Sequence, residues 1–173
     1  SQWNYSVATD VLGRLVEVWS GQELAVFFRE RIFGPLGMTD TAFAVAPEQQ
    51  QRFAALYAPL SGGDMSSVGS KSSPTVDEPR GGLKLMESSL KSSYFKQPKL
   101  CSGGGGLTGS IGDYAKFCQM LLNGGELNGA RLLSPTTVNF MRLNQLPDGQ
   151  DMAAMGQPVW SETSYDGVGF GLG

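Results

Sequence analysis

The sequence predicts a mostly α-helical segment with long loops. Apolar residues recur at three- and four-residue steps in several stretches, which is typical of helices packed on a core. The 24 glycines and 9 prolines follow no regular period, which favours many turns and long loops over a fibrous or wholly disordered chain. With 173 residues and a hydrophobic fraction of 40%, the chain has enough apolar material for one folded core.

The first third of the chain predicts a helical hairpin followed by one more helix. A first helix is expected over Ser6–Ser20, with Ser6 as its N-cap and Gly21 as the residue that ends it. A second helix is expected from about Glu23 to Ile32, because Pro35 cannot continue it. A third is expected to begin at Pro47 and to run through about Tyr57.

The middle of the chain, residues 61–101, is predicted to be a long loop region. Between about Ser61 and Gly82 the composition shifts to Gly, Ser, Asp and Pro with little periodicity. A loop of this length is often a lid or the rim of a pocket, and low-complexity filler is an equal alternative.

The last third predicts a glycine turn over 102–107, a helix, a hairpin and another helix. Ser110 and Asp113 stand in capping-box spacing at the start of a helix that runs to Leu122. The dipeptide at 128–129 is Asn-Gly, a strong signal for a two-residue hairpin turn, and Ser134–Pro135 opens a helix to about Leu143.

The end of the chain, residues 168–173, alternates apolar residues with glycine and predicts a strand that is just beginning. Because a lone strand is marginal without a sheet, the pattern indicates a chain cut within a larger architecture. The expected organisation is one partial domain with sections at 1–60, 61–101, 102–145 and 146–173.

Composition excludes several function classes. A net charge of −3 offers no basic stripe, so nucleic acid is not an expected partner. No apolar run approaches the roughly 20 residues of a membrane span, and the start of the chain does not resemble a signal peptide. We expect a soluble segment whose compartment, cytoplasmic or periplasmic, stays open.

The absence of histidine removes catalytic triads that use imidazole and most zinc sites. Cys101 and Cys118 form no Cys-x-x-Cys pair and are expected to be reduced, partly buried thiols. The glycines at 103–106 lack the lysine of a phosphate-binding loop, and no clustered ligands indicate a metal site. Neither a cofactor nor a metal is predicted.

Three candidate residues for nucleophilic or proton-transfer chemistry remain. A serine activated by a lysine one helical turn away is a known acylating pair, and Ser88 with Lys91 and Ser93 with Lys96 match that spacing. Both lie in a polar stretch without a clear helical face, so coincidence is the preferred interpretation. Tyr5 directly precedes the first predicted helix, where a side chain can project toward a cleft, and a core tyrosine with a satisfied hydroxyl is the alternative.

The sequence around Tyr5 favours a cleft-facing tyrosine over a core tyrosine. Residues 3–17, then Ser20-Gly21 and residues 32–43, closely resemble the stretch around the second catalytic motif of β-lactamase-like serine hydrolases. The likeness continues in the family's order over further segments: 102–107, 113–114, 117–125, 133–135 and 169–173. The resemblance covers nearly the whole chain and implies part of a fold with an α/β sheet and an all-α region, whose sheet is largely missing here.

In such enzymes the serine of Ser-x-x-Lys attacks the acyl carbon, and a tyrosine shares proton transfer with the lysine. Tyr5 matches that tyrosine. The chemistry is reasonable because a phenol with a pKa of about 10 is a poor base alone, whereas an adjacent ammonium favours the phenolate.

One departure from the family pattern shifts the expected substrate. Val7 replaces the asparagine of Tyr-x-Asn that contacts the substrate amide in β-lactamases, and Tyr-Ser-Val looks more like the family's carboxylesterases and acyltransferases. Val7 is therefore a candidate substrate-pocket residue. The resemblance implies a serine hydrolase that cleaves small acyl esters; a β-lactamase, a D-Ala-type peptidase and a non-catalytic binding module are the alternatives.

The family order also places the nucleophile outside this chain. The Ser-x-x-Lys of such enzymes lies upstream of the tyrosine, and the third motif would lie beyond Gly173. The chain alone is expected to be inactive and to have as partners an acyl ester or lactam substrate and the rest of its own domain, with its sheet and nucleophile helix.

Overall fold

The computed structural model describes residues 7–59, 82–155 and 166–172. Helices dominate these residues, and strands occur there only as two short antiparallel pairs. This confirms the prediction of a mostly α segment of a larger fold. No helix in the described ranges is long and apolar enough to cross a membrane.

Helix α1 spans Ala8–Ser20 and ends as predicted. Gly21 adopts the left-handed conformation (φ 68°) and its N–H donates to the carbonyl of Glu17 at 2.9 Å, which is the simple left-handed helix cap. The predicted N-cap, Ser6, lies outside the described residues. Val7 occupies the N-cap position and makes no side-chain capping bond.

The second helical segment continues through Pro35, so the predicted end near Ile32 was wrong. It comprises α2 (Leu24–Phe28), a π turn (Arg29–Phe33) and α3 (Gly34–Leu36). The wider π turn directly precedes Pro35, which then stands in the first turn of α3, where a missing N–H is tolerated. Gly37 (φ 64°) ends the segment in a Schellman motif, and Met38 donates its N–H to the carbonyl of Phe33 at 2.8 Å.

The third predicted helix is a short 3₁₀ helix, Pro47–Arg52, and does not reach Tyr57. The backbone becomes extended at Phe53, whose ring packs against Phe95 with centroids 5.3 Å apart. Strand β1 (Leu56–Pro59) then pairs antiparallel with β2 (Leu83–Glu87). These strands were not predicted, and β2 with the 3₁₀ turn Ser93–Phe95 corrects the expectation of a continuous loop over 61–101. Residues 60–81 lie outside the description.

The elements of the last third match the predictions closely. Ser110 accepts the N–H of Asp113 at 3.2 Å and begins α4 (Ile111–Leu122). Strands β3 (Glu126–Leu127) and β4 (Ala130–Arg131) are joined by the predicted Asn-Gly turn, in which both turn residues have positive φ (51° and 82°). Helix α5 (Pro135–Met141) begins after its predicted cap and is followed by a 3₁₀ turn (Pro147–Gly149) and α6 (Met152–Met155).

The predicted strand at the end of the chain is not formed in residues 166–172. Their backbone instead bonds to the end of α5 and the segment after it: Leu172 donates to the carbonyl of Met141 at 3.0 Å, and Phe170 accepts from Gln145 at 2.7 Å. A Cβ at Gly171 would lie 2.2 Å from the Met141 carbonyl oxygen. The glycines there permit this close approach, which the sequence pattern alone could not distinguish from a strand.

The core lies between the π turn, α3 and α4. Four buried side chains, Phe33, Leu36, Met38 and Met120, form its centre. Partly buried apolar side chains from α2, the π turn, α4, β3 and the residue after β4 pack around it: Phe28, Ile32, Phe117, Leu121, Leu127 and Leu132. Leu24 is fully buried, and its Cδ2 would lie 3.1 Å from a Cβ at Gly13, so α1 packs closely on the start of α2.

The two cysteines are free, as expected. Burial raises the pKa of the half-buried Cys101 thiol. Cys118 is exposed on α4, so the expectation that both thiols are partly buried was wrong for this one.

Candidate active site

The candidate site begins at the N-terminal end of α1. The carbonyl of Val7 accepts the N–H groups of Asp10 and Val11, at 3.1 and 3.2 Å, and its side chain is 71% exposed. The first turn of the helix thus holds the backbone of Val7 while its side chain faces outward. Tyr5 lies outside the described residues, two positions before Val7.

The glycine turn lies directly against this end of α1. The hydroxyl of Ser102 donates to Oδ1 of Asp10 at 2.5 Å and accepts the N–H of Gly104 at 3.0 Å. A Cβ at Gly103 would lie 2.1 Å from the carbonyl oxygen of Thr9, so only glycine allows this approach. The first turn of α1 and the glycine turn, which are far apart in sequence, are therefore in direct contact.

Between these two segments lies a groove of about 440 Å³, lined by Val7, Thr9, Asp10, Ser102 and the glycines at 104–106. That volume falls within the range of small-molecule sites. Val7 supplies an exposed aliphatic wall without an amide, and the Asp10–Ser102 pair lies beside it. The groove suits a small ligand with an apolar portion.

Sequence reasoning selected Val7 as a substrate-pocket residue, a role that stays a prediction, and did not select Asp10 and Ser102, which line the same groove. The available signals were weak: an aspartate in the first turn of a predicted helix, and a serine directly before a glycine run. Neither signal says that the two side chains meet across 92 positions.

The two local Ser-x-x-Lys matches do not form the acylating arrangement. Ser88 accepts backbone N–H groups from Leu90 and Lys91, at 3.1 and 3.3 Å, in a turn outside any helix. Ser93 begins a short 3₁₀ turn, after which Lys96 is extended (φ −130°, ψ 141°). Neither serine stands one α-helical turn from its lysine, in agreement with the interpretation that these matches are coincidental.

A second cavity, about 570 Å³ in volume, is almost entirely apolar. Its wall combines Leu107, the last residue of the glycine turn, with core side chains and two exposed side chains of α4. The core side chains are Phe28, Ile32, Phe33, Met38 and Phe117, and the exposed ones are Ile111 and Tyr114. It contains no charged side chain, and its side-chain polar groups are the hydroxyls of Thr41, Thr108, Ser110 and Tyr114. Among the described residues no group of three His, Cys, Asp or Glu could hold a metal ion.

Two carboxylates near α4 have structural roles. Asp113 is buried and accepts hydrogen bonds from the backbone of Asp40 at 2.7 Å, from Thr41 Oγ1 at 3.0 Å and from Lys116 Nζ at 3.0 Å. Asp40 receives both Nη atoms of Arg52, at 2.5 and 3.2 Å. These bonds tie the loop after α3 to the start of α4 and to the 3₁₀ helix.

The Asp40–Arg52 pair predicts a component of acid sensitivity. Hydrogen bonding from Arg52, with its charge, lowers the pKa of Asp40 below the ordinary value of 3.8. A carboxyl with a lowered pKa in the folded state contributes stability above its unfolded pKa and loses it as pH falls through the folded value. Arg52→Met should therefore lower the urea midpoint of the full-length protein at pH 7, and the difference from wild type should shrink below about pH 4.

Arg29→Met is the matched control, because Arg29 is exposed and its nearest carboxylate, on Glu30, is 3.9 Å away. Its urea midpoint should follow the wild type at every pH. A difference between Arg52→Met and wild type that stays constant down to pH 2 would contradict the assignment.

Known proteins include a family and several relatives whose sequences are similar to this chain. The Beta-lactamase family model matches residues 1–172. An uncharacterized protein of Mycobacterium tuberculosis is 35% identical over 169 residues, which are 97% of this chain and 36% of that protein. Esterase EstB of Burkholderia gladioli is 33% identical over 121 residues, 70% of this chain and 29% of its own length.

Among solved structures, unliganded selenomethionyl simvastatin synthase (LovD) from Aspergillus terreus superposes with a TM-score of 0.64 at 27% identity. The superposition covers 86% of this chain and 31% of that one. The chain thus spans about a third of the length of the curated relatives it matches.

Proposed function

This chain belongs to the beta-lactamase family, and from that membership we propose that it is part of a serine hydrolase that cleaves small acyl esters. The observation that supports an ester substrate is the exposed Val7 at the groove beside α1. An aliphatic side chain there offers no hydrogen bond to a substrate amide, so it favours a ligand that needs none. The relative named as an esterase, EstB, supports the same class.

The proposed reaction passes through an acyl-serine intermediate. A serine upstream of this chain's first residue attacks the ester carbonyl carbon, and its proton passes to the Lys–Tyr5 pair. The same pair returns a proton to the alkoxide as the carbon–oxygen bond breaks, and water then cleaves the acyl-serine. A tyrosine can take this role when a neighbouring ammonium favours its phenolate form.

The chain by itself supplies Tyr5 and the groove but no suitable nucleophile. Within residues 1–173 no Ser-x-x-Lys precedes Tyr5, and neither downstream match has its serine and lysine on one α-helix. We therefore propose that residues 1–173 alone do not turn over esters, since removal of a nucleophile abolishes most of the chemical step.

Covalent labelling and substrate comparison test the proposal. A fluorophosphonate probe should label one serine of the full-length protein, upstream of Tyr5, and none in residues 1–173 alone. The value of kcat/KM for p-nitrophenyl butyrate should exceed that for a chromogenic cephalosporin by about 100-fold. The variants Ser88→Ala and Ser93→Ala serve as controls and should retain wild-type turnover.

Two results would overturn parts of this proposal. Labelling of Ser88 or Ser93 would place the nucleophile inside this chain. A full-length protein that is neither labelled nor active on the ester would point to a binding module, and faster cleavage of the cephalosporin would point to a β-lactamase.

A further inference from the structure

We propose that the hydrogen bond between Asp10 and Ser102 holds the glycine turn in place against α1, so that both are positioning residues of the ester-cleaving site. The inference rests on the proposed function, because the groove that the pair maintains is the one that Val7 lines. Neither side chain is assigned a step in the chemistry.

One hydroxyl, that of Ser102, links the Asp10 carboxylate on α1 to the backbone of the glycine turn. Ser102 Oγ donates to Asp10 Oδ1 at 2.5 Å and accepts the Gly104 N–H at 3.0 Å, so its two bonds connect the carboxylate to the backbone of the turn. A hydrogen bond to a carboxylate is roughly twice as strong as one between neutral groups. Asp10 also stands in the first turn of α1, where the helix dipole stabilises a negative charge.

After the glycine turn, the backbone of Thr108 pairs with Ala42. Within the turn few groups can fix its position, because Gly103–Gly106 carry no side chains that could pack. A Cβ added at Gly103 or Gly104 would meet backbone atoms of Thr9 and Gly13 and side-chain atoms of Thr9 and Asp10. Such contacts prevent closer approach but do not prevent the turn from moving away. The Asp10–Ser102 bond supplies that restraint.

Movement of the turn would change the site directly, because Gly104–Gly106 line the same groove as Val7. A displacement of about 1 Å in a positioning element can lower turnover up to 100-fold without loss of any reacting group. We therefore expect loss of the Asp10–Ser102 hydrogen bond to lower turnover by a larger factor than it lowers the fraction of folded protein.

A double-mutant cycle in the full-length protein tests the pair. Turnover of p-nitrophenyl butyrate is measured per fluorophosphonate-labelled site, which removes the contribution of unfolded protein. Ser102→Ala and Asp10→Ala should each lower it about 10-fold, and the double variant should also lose only about 10-fold, because both changes remove the same bond. Ser102→Thr retains the hydroxyl and should stay within about 3-fold of wild type.

Ser134→Ala is the matched control. It also removes a serine hydroxyl that accepts a backbone N–H, from Thr137 at 3.0 Å at the start of α5. It should lower stability but leave turnover per labelled site unchanged.

The outcomes separate the two proposals. A wild-type protein that is neither labelled nor active overturns the proposed function and the positioning role with it. An active wild type with undiminished turnover in Ser102→Ala overturns the positioning role alone. So does a double variant that loses about 100-fold, because the two residues would then act independently.

Discussion

Tyr5→Phe in the full-length protein is expected to lower kcat for p-nitrophenyl butyrate by about 100- to 10,000-fold, the usual contribution of a positioned acid or base. The change removes only the phenolic hydroxyl, through which the proposed proton transfer passes. KM should change little, since the substitution retains the aromatic ring. Steady-state kinetics, with the active-site concentration determined by fluorophosphonate titration, measures both quantities.

Tyr57→Phe provides the same chemical change on β1 and should leave kcat at the wild-type value. If Tyr5→Phe retains kcat within about 3-fold, Tyr5 is not the proton-transfer residue, even if the full-length protein proves to be an esterase. The test thus separates the role of this side chain from the activity of the whole protein.

The elements predicted correctly are those whose signals are local. Ser110 caps α4 and Asn128-Gly129 turns the β3–β4 hairpin because each depends on a few neighbouring residues. Gly21 ends α1 for the same reason. These interactions depend little on residues distant in sequence, so the spacing of neighbouring residues is enough to predict them.

The elements predicted wrongly depend on residues distant in sequence or on an irregular backbone. Pro35 normally ends a helix, but the π turn before it lets the helical segment continue, and no spacing rule signals that turn. Strand β1 exists because it pairs with β2, about 25 residues later in the chain. The 3₁₀ helix ends before Phe53, whose ring packs on Phe95.

Local signals also account for the residues that were proposed for the candidate site. Tyr5 and Val7 were proposed from resemblance to a family motif, which is contiguous in sequence, and their roles stay predictions. The partner of Asp10 could not be identified in that manner, since the hydrogen bond to Ser102 joins positions 92 residues apart. The glycine turn was predicted from the sequence, but not the close approach of Thr9 that requires glycine at position 103.

Gly103→Ala is expected to be the most damaging small substitution near the site. The new Cβ would lie 2.1 Å from the carbonyl oxygen of Thr9 and 3.1 Å from Cα of Gly13. Both are backbone atoms of α1, so neither can rotate away, and either the helix or the glycine turn must shift. We expect the free energy of unfolding to fall by about 3 kcal/mol and turnover per labelled site to fall at least 10-fold.

Gly105→Ala is a closely matched control, two residues away in the same turn. No atom lies within 4 Å of its added Cβ, and the backbone there is not left-handed. The free energy of unfolding should therefore change by less than about 1 kcal/mol, with a slight gain because alanine restricts the unfolded chain. Urea denaturation of the two full-length variants measures the difference; equal midpoints would show that the turn does not pack on α1 as described. Because the two variants add the same methyl group, a difference between them reports the contact with Thr9 and Gly13 rather than the general flexibility of a glycine run.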